Sequence, residues 1–218
     1  MVYYFDEIES LDEKFLNRSK LLLSQERMMK VDRLGNNRDK ILSILAYLLL
    51  LYGLKKEGRD TSLMEIRYNE YGKPFLWNTD SVCFNLSHCI EGAACVISTF
   101  EVGIDIQEIR PVNDSILKKV CSQTEIKTIK AAINMDAEFT RYWTMKESFL
   151  KAIGTGIIND LKIITFDEIG KNQAYRLGYN INTFSEKRFI LAVCTKGNIR
   201  IDLEKVSLDC FNKEFANC

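Results

Sequence analysis

The segment that most constrains this chain covers residues 139–153 and reads FTRYWTMKESFLKAI. At about 100° per residue its large apolar side chains lie on one broad arc, which predicts a helix with a buried face. The arc contains Phe139, Tyr142, Trp143, Met145, Phe149, Leu150 and Ile153. Lys146 lies inside this arc, and an unpaired buried charge is unstable, so its ammonium group must reach solvent or meet an anion. Glu147 and Lys151 lie one turn apart at the edge, where an ordinary Glu–Lys pair would contribute only about 0.2–0.5 kcal/mol.

Composition sets the broad class of the protein. The 218 residues fit one larger domain or two small ones, and 46% of them are hydrophobic, enough for a substantial core. The 30 basic residues balance the 30 acidic ones, which argues against a nucleic-acid binder or a protein of anionic membranes. The seven cysteines form no CxxC pair and no zinc-binding spacing, so they predict reduced thiols in the cytoplasm. The acidic N-terminus does not resemble a signal peptide, and the longest apolar run, residues 41–51, is too short to span a bilayer.

The order of predicted elements is similar in the two halves of the chain. In the first half, we expect a strand within residues 1–9, helices over 10–30 and 38–52, and strands over 64–68, 82–86 and 93–100. Asn37 would cap the second helix, Gly53 would end it, and Ser87 and His88 would lie between strands. In the second half, we expect a strand over 102–107, helices over 113–121, 122–132 and 139–153, and strands over 161–166, 174–179, 182–184 and 188–195. This order predicts an α/β (α+β) fold with an N-terminal half, 1–100, and a C-terminal half, 101–218.

Two features lie outside the expected core pattern. Residues 14–40 hold eight basic side chains and three acidic ones, and Arg27, Lys30 and Arg33 share a helical ridge. This basic region is either a solvated helix face or an anion site. The strand over 102–107 alternates strictly, with Asp105 facing away from the apolar side chains at 102, 104 and 106. A carboxylate at that position of a buried strand marks a candidate site.

Four short segments occur in order: GKP at 72–74, FNLSH at 84–88, VGIDI at 102–106 and WTMKESFLK at 143–151. Together they closely resemble the 4′-phosphopantetheinyl transferases of the long, surfactin-synthetase-activating (Sfp) type, over roughly residues 25–157. The resemblance implies two similar subdomains related by a pseudo-twofold axis, with coenzyme A in the cleft between them. It also implies a Mg²⁺-dependent monomer that moves the 4′-phosphopantetheine arm onto a serine of an apo acyl or peptidyl carrier protein and releases adenosine 3′,5′-bisphosphate.

The resemblance also implies roles for individual residues. Asp105 and Glu147 would be the metal ligands, and Gln107, where many members have a glutamate, would hold a metal-bound water. Glu147 would also act as the base for the carrier serine, directly or through water. Lys146 would contact the cofactor phosphates, and Lys151 would steady the diphosphate or the leaving group.

Further residues match the coenzyme A site of that family. His88, the only histidine, and the adjacent Ser87 would lie at the phosphates. Lys73 and Pro74 would belong to a loop over the adenine and pyrophosphate. Three basic residues of the first half would bind the 3′-phosphate: Arg38, Lys30 and Arg33. For Arg38, adenine is an alternative ligand.

The carrier would dock on the segment after Pro111, through apolar and basic side chains: Ile116, Leu117, Lys118 and Lys119. Two other functions stay open at this point. One is a magnesium-dependent phosphohydrolase that uses Asp105 and Glu147. The other is an inactive adaptor that binds coenzyme A or carrier domains, an alternative to which Gln107 gives some weight.

Overall fold

The computed structural model describes residues 1–11, 13–62, 64–77, 81–156 and 160–215. The first half contains a short 3-10 turn at Ile8–Ser10 and the elements β1 (Val2–Phe5), α1 (Glu13–Lys20), α2 (Gln25–Asp32), α3 (Asn37–Lys56), β2 (Ile66–Tyr68), β3 (Pro74–Leu76), β4 (Cys83–Cys89) and β5 (Gly92–Ser98). The remainder contains a 3-10 turn at Leu161–Ile163 and the elements β6 (Val102–Glu108), α4 (Asp114–Val120), α5 (Gln123–Ala131), α6 (Met135–Ile153), β7 (Glu168–Ile169), β8 (Gln173–Arg176), β9 (Tyr179–Ser185), β10 (Phe189–Lys196), β11 (Leu203–Lys205) and α7 (Leu208–Glu214). The mixed α/β class is as predicted.

Two main sheets carry one long helix each. The first has the strand order β11-β1-β5-β4 and the second β6-β10-β9-β8-β7, while β2 and β3 form a separate hairpin. In each half the first strand pairs antiparallel with a later one, β1 with β5 and β6 with β10. The long helices α3 and α6 pack against these strands.

The alternation of side chains divides the core into three clusters. Tyr3 and Ile97 face α3, whereas Val2 and Val96, their neighbours along the same strands, belong to a cluster that includes Ile104 of β6. A third cluster lies between α6 and the other face of the second sheet. Because β6 alternates, its apolar residues face the first sheet while Gly103 and Asp105 face α6, as the sequence predicts.

Several local predictions were wrong in an informative way. Asn36, not Asn37, caps α3, accepting a hydrogen bond from the Asp39 N–H. Gly53 lies inside α3, where a Cβ atom would approach the Tyr3 ring to 2.5 Å, so this glycine permits close packing and does not end the helix. The strand expected over 161–166 is instead the 3-10 turn at Leu161–Ile163.

The C-terminal segment returns to the first half. The strand β11 pairs in parallel with β1, and Phe211 of α7 packs against Phe5 and Tyr52. The first sheet is therefore not built from residues 1–100 alone. Within the described ranges, every helix is too short or too polar to cross a membrane.

Candidate active site

The site is organised by the contact between β6 and α6. A Cβ atom on Gly103 would collide with the Ser148 carbonyl oxygen and the Ala152 amide nitrogen, and would lie 2.9 Å from the Ala152 Cα. The absence of a side chain at Gly103 thus lets the helix backbone lie directly on the strand. This close approach brings Asp105, two residues further along β6, beside Lys151 on the last turn of α6.

Asp105, Lys151 and Ser87 form a compact polar cluster. The Lys151 Nζ atom lies 2.6 Å from Asp105 Oδ1 and 2.9 Å from Ser87 Oγ. The Ser87 hydroxyl donates to Asp105 Oδ1 at 3.0 Å and accepts from the Ile106 N–H at 3.2 Å. Asp105 is buried, so the ion pair with Lys151 is shielded from solvent on the carboxylate side.

Ser87 and Asn85 also join the edges of the two sheets. They belong to β4, at one edge of the first sheet, and β6 lies at an edge of the second. The Asn85 Oδ1 atom accepts from the Ile104 N–H at 3.1 Å, as Ser87 does from Ile106. Side chains therefore satisfy the edge amides of β6 where a further strand would otherwise pair. Ser87 and His88 lie within β4, not between strands as predicted, and the role of Asn85 was not predicted.

The carboxylates of Asp105 and Glu147 are suited to a hard divalent cation. The second oxygen of Asp105, Oδ2, is buried and has no hydrogen-bond partner. Burial and the nearby charge of Asp105 raise the pKa of Glu147, while Lys151 lowers it. A cation that binds Asp105 Oδ2 and Glu147 would satisfy the unpartnered oxygen and relieve the repulsion between the carboxylates. In the described ranges, no three His, Cys, Asp or Glu side chains converge on one metal position, so a hexacoordinate ion would need water and substrate oxygens as well.

Gln107 was predicted to take part in this site through water. It is half-buried on β6, two residues beyond Asp105, and strand alternation places the two on the same face. The side-chain amide is neutral, so Gln107 adds no third carboxylate.

A cleft of about 260 Å³ opens from Glu147 and Lys151 toward the β2–β3 hairpin. Lys73 and Pro74 line it, as predicted for the loop over the cofactor. The Lys73 ammonium group donates to the Ala152 carbonyl oxygen at the end of α6, and burial lowers its pKa. Asn69 fixes the hairpin to the helix end by donating to the Gly154 carbonyl oxygen at 2.9 Å.

The charge of one basic side chain of the first half, Arg27, acts on His88. Desolvation and the charges of Lys151 and Arg27 lower the pKa of His88, so its imidazole is neutral at pH 7. Arg38 is exposed and donates to the Ile90 carbonyl oxygen at 3.0 Å. Lys30 lies over the Tyr68 ring at 4.0 Å, and Arg33 is exposed at the end of α2.

Arg27 was not singled out as a binding residue, although it shares a ridge with Lys30 and Arg33. Its guanidinium group donates to Ser43 Oγ at 2.8 Å, and burial lowers its pKa. The Nε atom is buried without a hydrogen-bond partner. The charge of Arg27 acts on His88, which makes this arginine a further candidate for an anion contact.

Lys146 has a different anion from the one we predicted. Its side chain is fully buried and its Nζ atom lies 2.7 Å from Glu125 Oε2. Two carbonyl oxygens accept the remaining donors, those of Val120 and Leu161. The expected contact between Lys146 and a cofactor phosphate is therefore corrected: the lysine faces away from the cleft. Ile153, at the end of the predicted apolar arc, is 36% exposed and does not join the core.

Comparison with known proteins places these residues in a family context. The family model of the 4′-phosphopantetheinyl transferase superfamily matches residues 101–197, which include Asp105, Glu147 and Lys151. The 4′-phosphopantetheinyl transferase gsp of Aneurinibacillus migulanus is 31% identical over 175 residues, 79% of this chain and 72% of that protein. The 4′-phosphopantetheinyl transferase Sfp of Bacillus subtilis strain 168 is 29% identical over 149 residues, 67% of this chain and 65% of that protein. An L-aminoadipate-semialdehyde dehydrogenase-phosphopantetheinyl transferase of Candida glabrata is 31% identical over 163 residues, covering 70% of this chain and 63% of its own length.

Proposed function

Because this chain belongs to the 4′-phosphopantetheinyl transferase superfamily, we propose that it transfers the 4′-phosphopantetheine arm of coenzyme A to a serine hydroxyl of an apo acyl or peptidyl carrier protein. In this reaction the serine oxygen bonds to the phosphorus that carries the pantetheine arm. The bond from that phosphorus to the bridging oxygen breaks, and adenosine 3′,5′-bisphosphate leaves. The observation that carries the proposal is the cluster of Asp105, Lys151 and Glu147 at the end of a cleft.

The residues of the cluster suit phosphoryl transfer, which depends on positioning and on charge stabilisation. Asp105 Oδ2 and Glu147 would hold Mg²⁺, which would neutralise charge on the diphosphate. The Lys151 ammonium group stabilises the leaving oxygen, while its bond to Asp105 fixes its position. Glu147 would also accept the serine proton, directly or through a water molecule.

We also propose that the first half binds the 3′-phosphate of coenzyme A. Arg27, with its unpartnered Nε atom, lies near His88, and Lys30 follows on the same ridge. Arg33 and Arg38 are exposed, and both would contact the same anion. Lys73 and Pro74 line the cleft together with Glu147 and Lys151, and the pyrophosphate would lie there.

The proposed pseudo-twofold relation of the two subdomains is supported by the order of their elements. Each half runs from a strand through two short helices, a long helix and a further strand pair to a hairpin whose last strand returns to the first. The further pair is a separate hairpin in the first half, β2–β3, and extends the sheet in the second, β7–β8. The residues that cap the second and third helices of one half lie 98 positions from those of the other half: Ser24 corresponds to Ser122, and Asn36 to Asn134. The 98-residue spacing is consistent with a subdomain boundary near residue 100. The exceptions are β11 and α7, which follow the second half in sequence but pack against the first.

The carrier would dock on α4. Ile116, Lys118 and Lys119 are exposed there, whereas Leu117 is buried and is removed from the predicted surface. An apolar and basic helix face suits the acidic helix that carrier proteins present beside their serine. The cytoplasmic location and the monomeric state stay predictions.

Mass spectrometry tests the proposed function. Several apo carriers are incubated with coenzyme A, Mg²⁺ and the protein, and a gain of the phosphopantetheine mass on serine is expected. Glu147→Gln should abolish transfer while leaving the fold intact, and Glu168→Gln, the same change at an exposed position, should transfer at the wild-type rate. Transfer by Glu147→Gln at the wild-type rate would refute its role. Phosphate release from coenzyme A without any carrier would point to the phosphohydrolase instead.

A further inference from the structure

Lys146 connects three elements at a point next to the catalytic residues. It precedes Glu147 on α6 and its side chain is fully buried. The Nζ atom lies 2.7 Å from Glu125 Oε2 of α5, 2.9 Å from the Val120 carbonyl oxygen at the end of α4, and 3.1 Å from the Leu161 carbonyl oxygen of the 3-10 turn. All three ammonium protons are therefore used, each on a different element.

Glu125 also makes a second hydrogen bond besides the one to Lys146. Its Oε2 atom also accepts from the Ser122 N–H at 2.7 Å, completing the capping box at the start of α5. Its other oxygen, Oε1, is buried without a partner. A buried ion pair with an unsatisfied oxygen is no more stabilising than a well-packed apolar pair, so what the pair supplies is a fixed geometry.

The element that needs this geometry is α4. The helix α6 is held against β6 and β10 by its own apolar face and does not depend on Lys146 for its place. The helix α4 contacts α5 and the 3-10 turn, which Lys146 ties to α6, and its Leu117 and Val120 side chains pack in the same apolar cluster as α6. The segment before α4 is joined to α6 by the Val112 N–H, which donates to Asp136 Oδ1 at 2.9 Å. Lys146 fixes the other end of α4, at the Val120 carbonyl oxygen. The exposed ion pair of Lys130 with Asp114 adds little to this connection because it is open to solvent.

We infer that Lys146 is a positioning residue for carrier recognition: through Glu125, Val120 and Leu161 it holds the docking face of α4 at a fixed place relative to Glu147 and Lys151. This inference rests on the proposed transferase function and on α4 as the docking surface. It assigns Lys146 no contact with coenzyme A, in keeping with its complete burial.

The test is a double variant, Lys146→Met with Glu125→Gln. Glutamine keeps the capping box, and the pair carries no buried charge, so the protein should fold. We expect the KM for the apo carrier to rise roughly tenfold, while the KM for coenzyme A changes less than about twofold. The matched control makes the same two substitutions at exposed positions, Lys171→Met with Glu168→Gln, and should behave as the wild type.

The possible outcomes separate the inference from the proposed function. A folded double variant with an unchanged carrier KM overturns the inference, and so does an equal rise in both KM values. A wild-type protein that modifies no carrier overturns the proposed function and this inference with it. Glu125→Gln alone, which leaves Lys146 with its two carbonyl oxygens, gives the same test in a milder form and should raise the carrier KM by a smaller factor.

Discussion

Replacing Gly103 by alanine should damage both stability and catalysis. The added Cβ atom would meet three backbone atoms of α6, and backbone cannot turn aside as a flexible side chain can. Ordinary contacts of a Cβ atom begin near 3.4 Å, so the helix must retreat by at least about 0.5 Å to clear the Ala152 Cα alone. Clearing the Ser148 oxygen and the Ala152 nitrogen, which are closer, requires more than about 1 Å.

The magnitude follows from this displacement. Overpacking of a core typically costs about 1–3 kcal/mol, which lowers the melting temperature of a chain of this size by about 2–4 °C per kcal/mol. The 2.6 Å contact of Lys151 with Asp105 spans the same strand and helix, so it must lengthen or the helix must tilt. A misplacement of about 1 Å in a positioned site can reduce the rate roughly 100-fold.

Thermal unfolding and the carrier assay measure the two effects. Gly170→Ala is the matched control, because its Cβ atom would lie 3.6 Å from the Gln173 carbonyl oxygen, an ordinary contact. It should stay within about 0.5 kcal/mol of the wild-type unfolding free energy. A Gly103→Ala protein with the wild-type melting temperature and transfer rate would refute the packing argument.

Three further predictions concern the charged groups. The unfolded chain binds a proton to His88 at about pH 6.5, whereas the folded protein does so only at lower pH, so the unfolding free energy should fall as the pH drops below about 6.5. Because His88 is the only histidine, chemical denaturation of His88→Gln should show a smaller loss between pH 7.5 and 5.5, and identical losses would contradict the shift. Arg27→Met should weaken the binding of coenzyme A in calorimetry but leave that of 3′-dephospho-coenzyme A nearly unchanged, and equal losses for both ligands would exclude a 3′-phosphate contact. Mg²⁺ should raise the melting temperature of the wild type but not that of Asp105→Asn, and the same rise in both would remove Asp105 as a ligand.

The features that could be predicted from the sequence depend on residues close together in the chain. Strict alternation over β6 correctly placed Asp105 opposite its apolar neighbours. The predicted starts of two helices at Asn113 and Ser122 agree with the structure, in which these residues cap α4 and α5. The positive φ of Gly154, 72°, ends α6 where the glycine occurs in the sequence.

Predictions that needed a tertiary partner failed. The lysine inside an apolar arc indicated a buried anion correctly, but nothing in the sequence distinguished Glu125, 21 positions earlier, from a cofactor phosphate. Gly53 was interpreted as a helix end because the Tyr3 ring that requires it lies on another element. Arg27 was placed on the basic ridge but given no separate role, because its burial beside Ser43 cannot be read from a helical ridge of cations.

In both halves a long helix packs closely on the first strand, but the residues at this contact differ. The difference explains why the candidate site lies mainly in the second half. Both long helices approach their first strand through a glycine, but it lies on the helix in the first half, Gly53, and on the strand in the second, Gly103. Under the proposed pseudo-twofold relation, the 98-residue spacing matches Glu147 with Leu49 and Lys151 with Gly53. Leu49 is completely buried and Gly53 lies against Tyr3, so the matching positions of the first half are apolar core. The first half can therefore contribute to the reaction through its edge strand and its basic helices, while the carboxylates must come from β6 and α6.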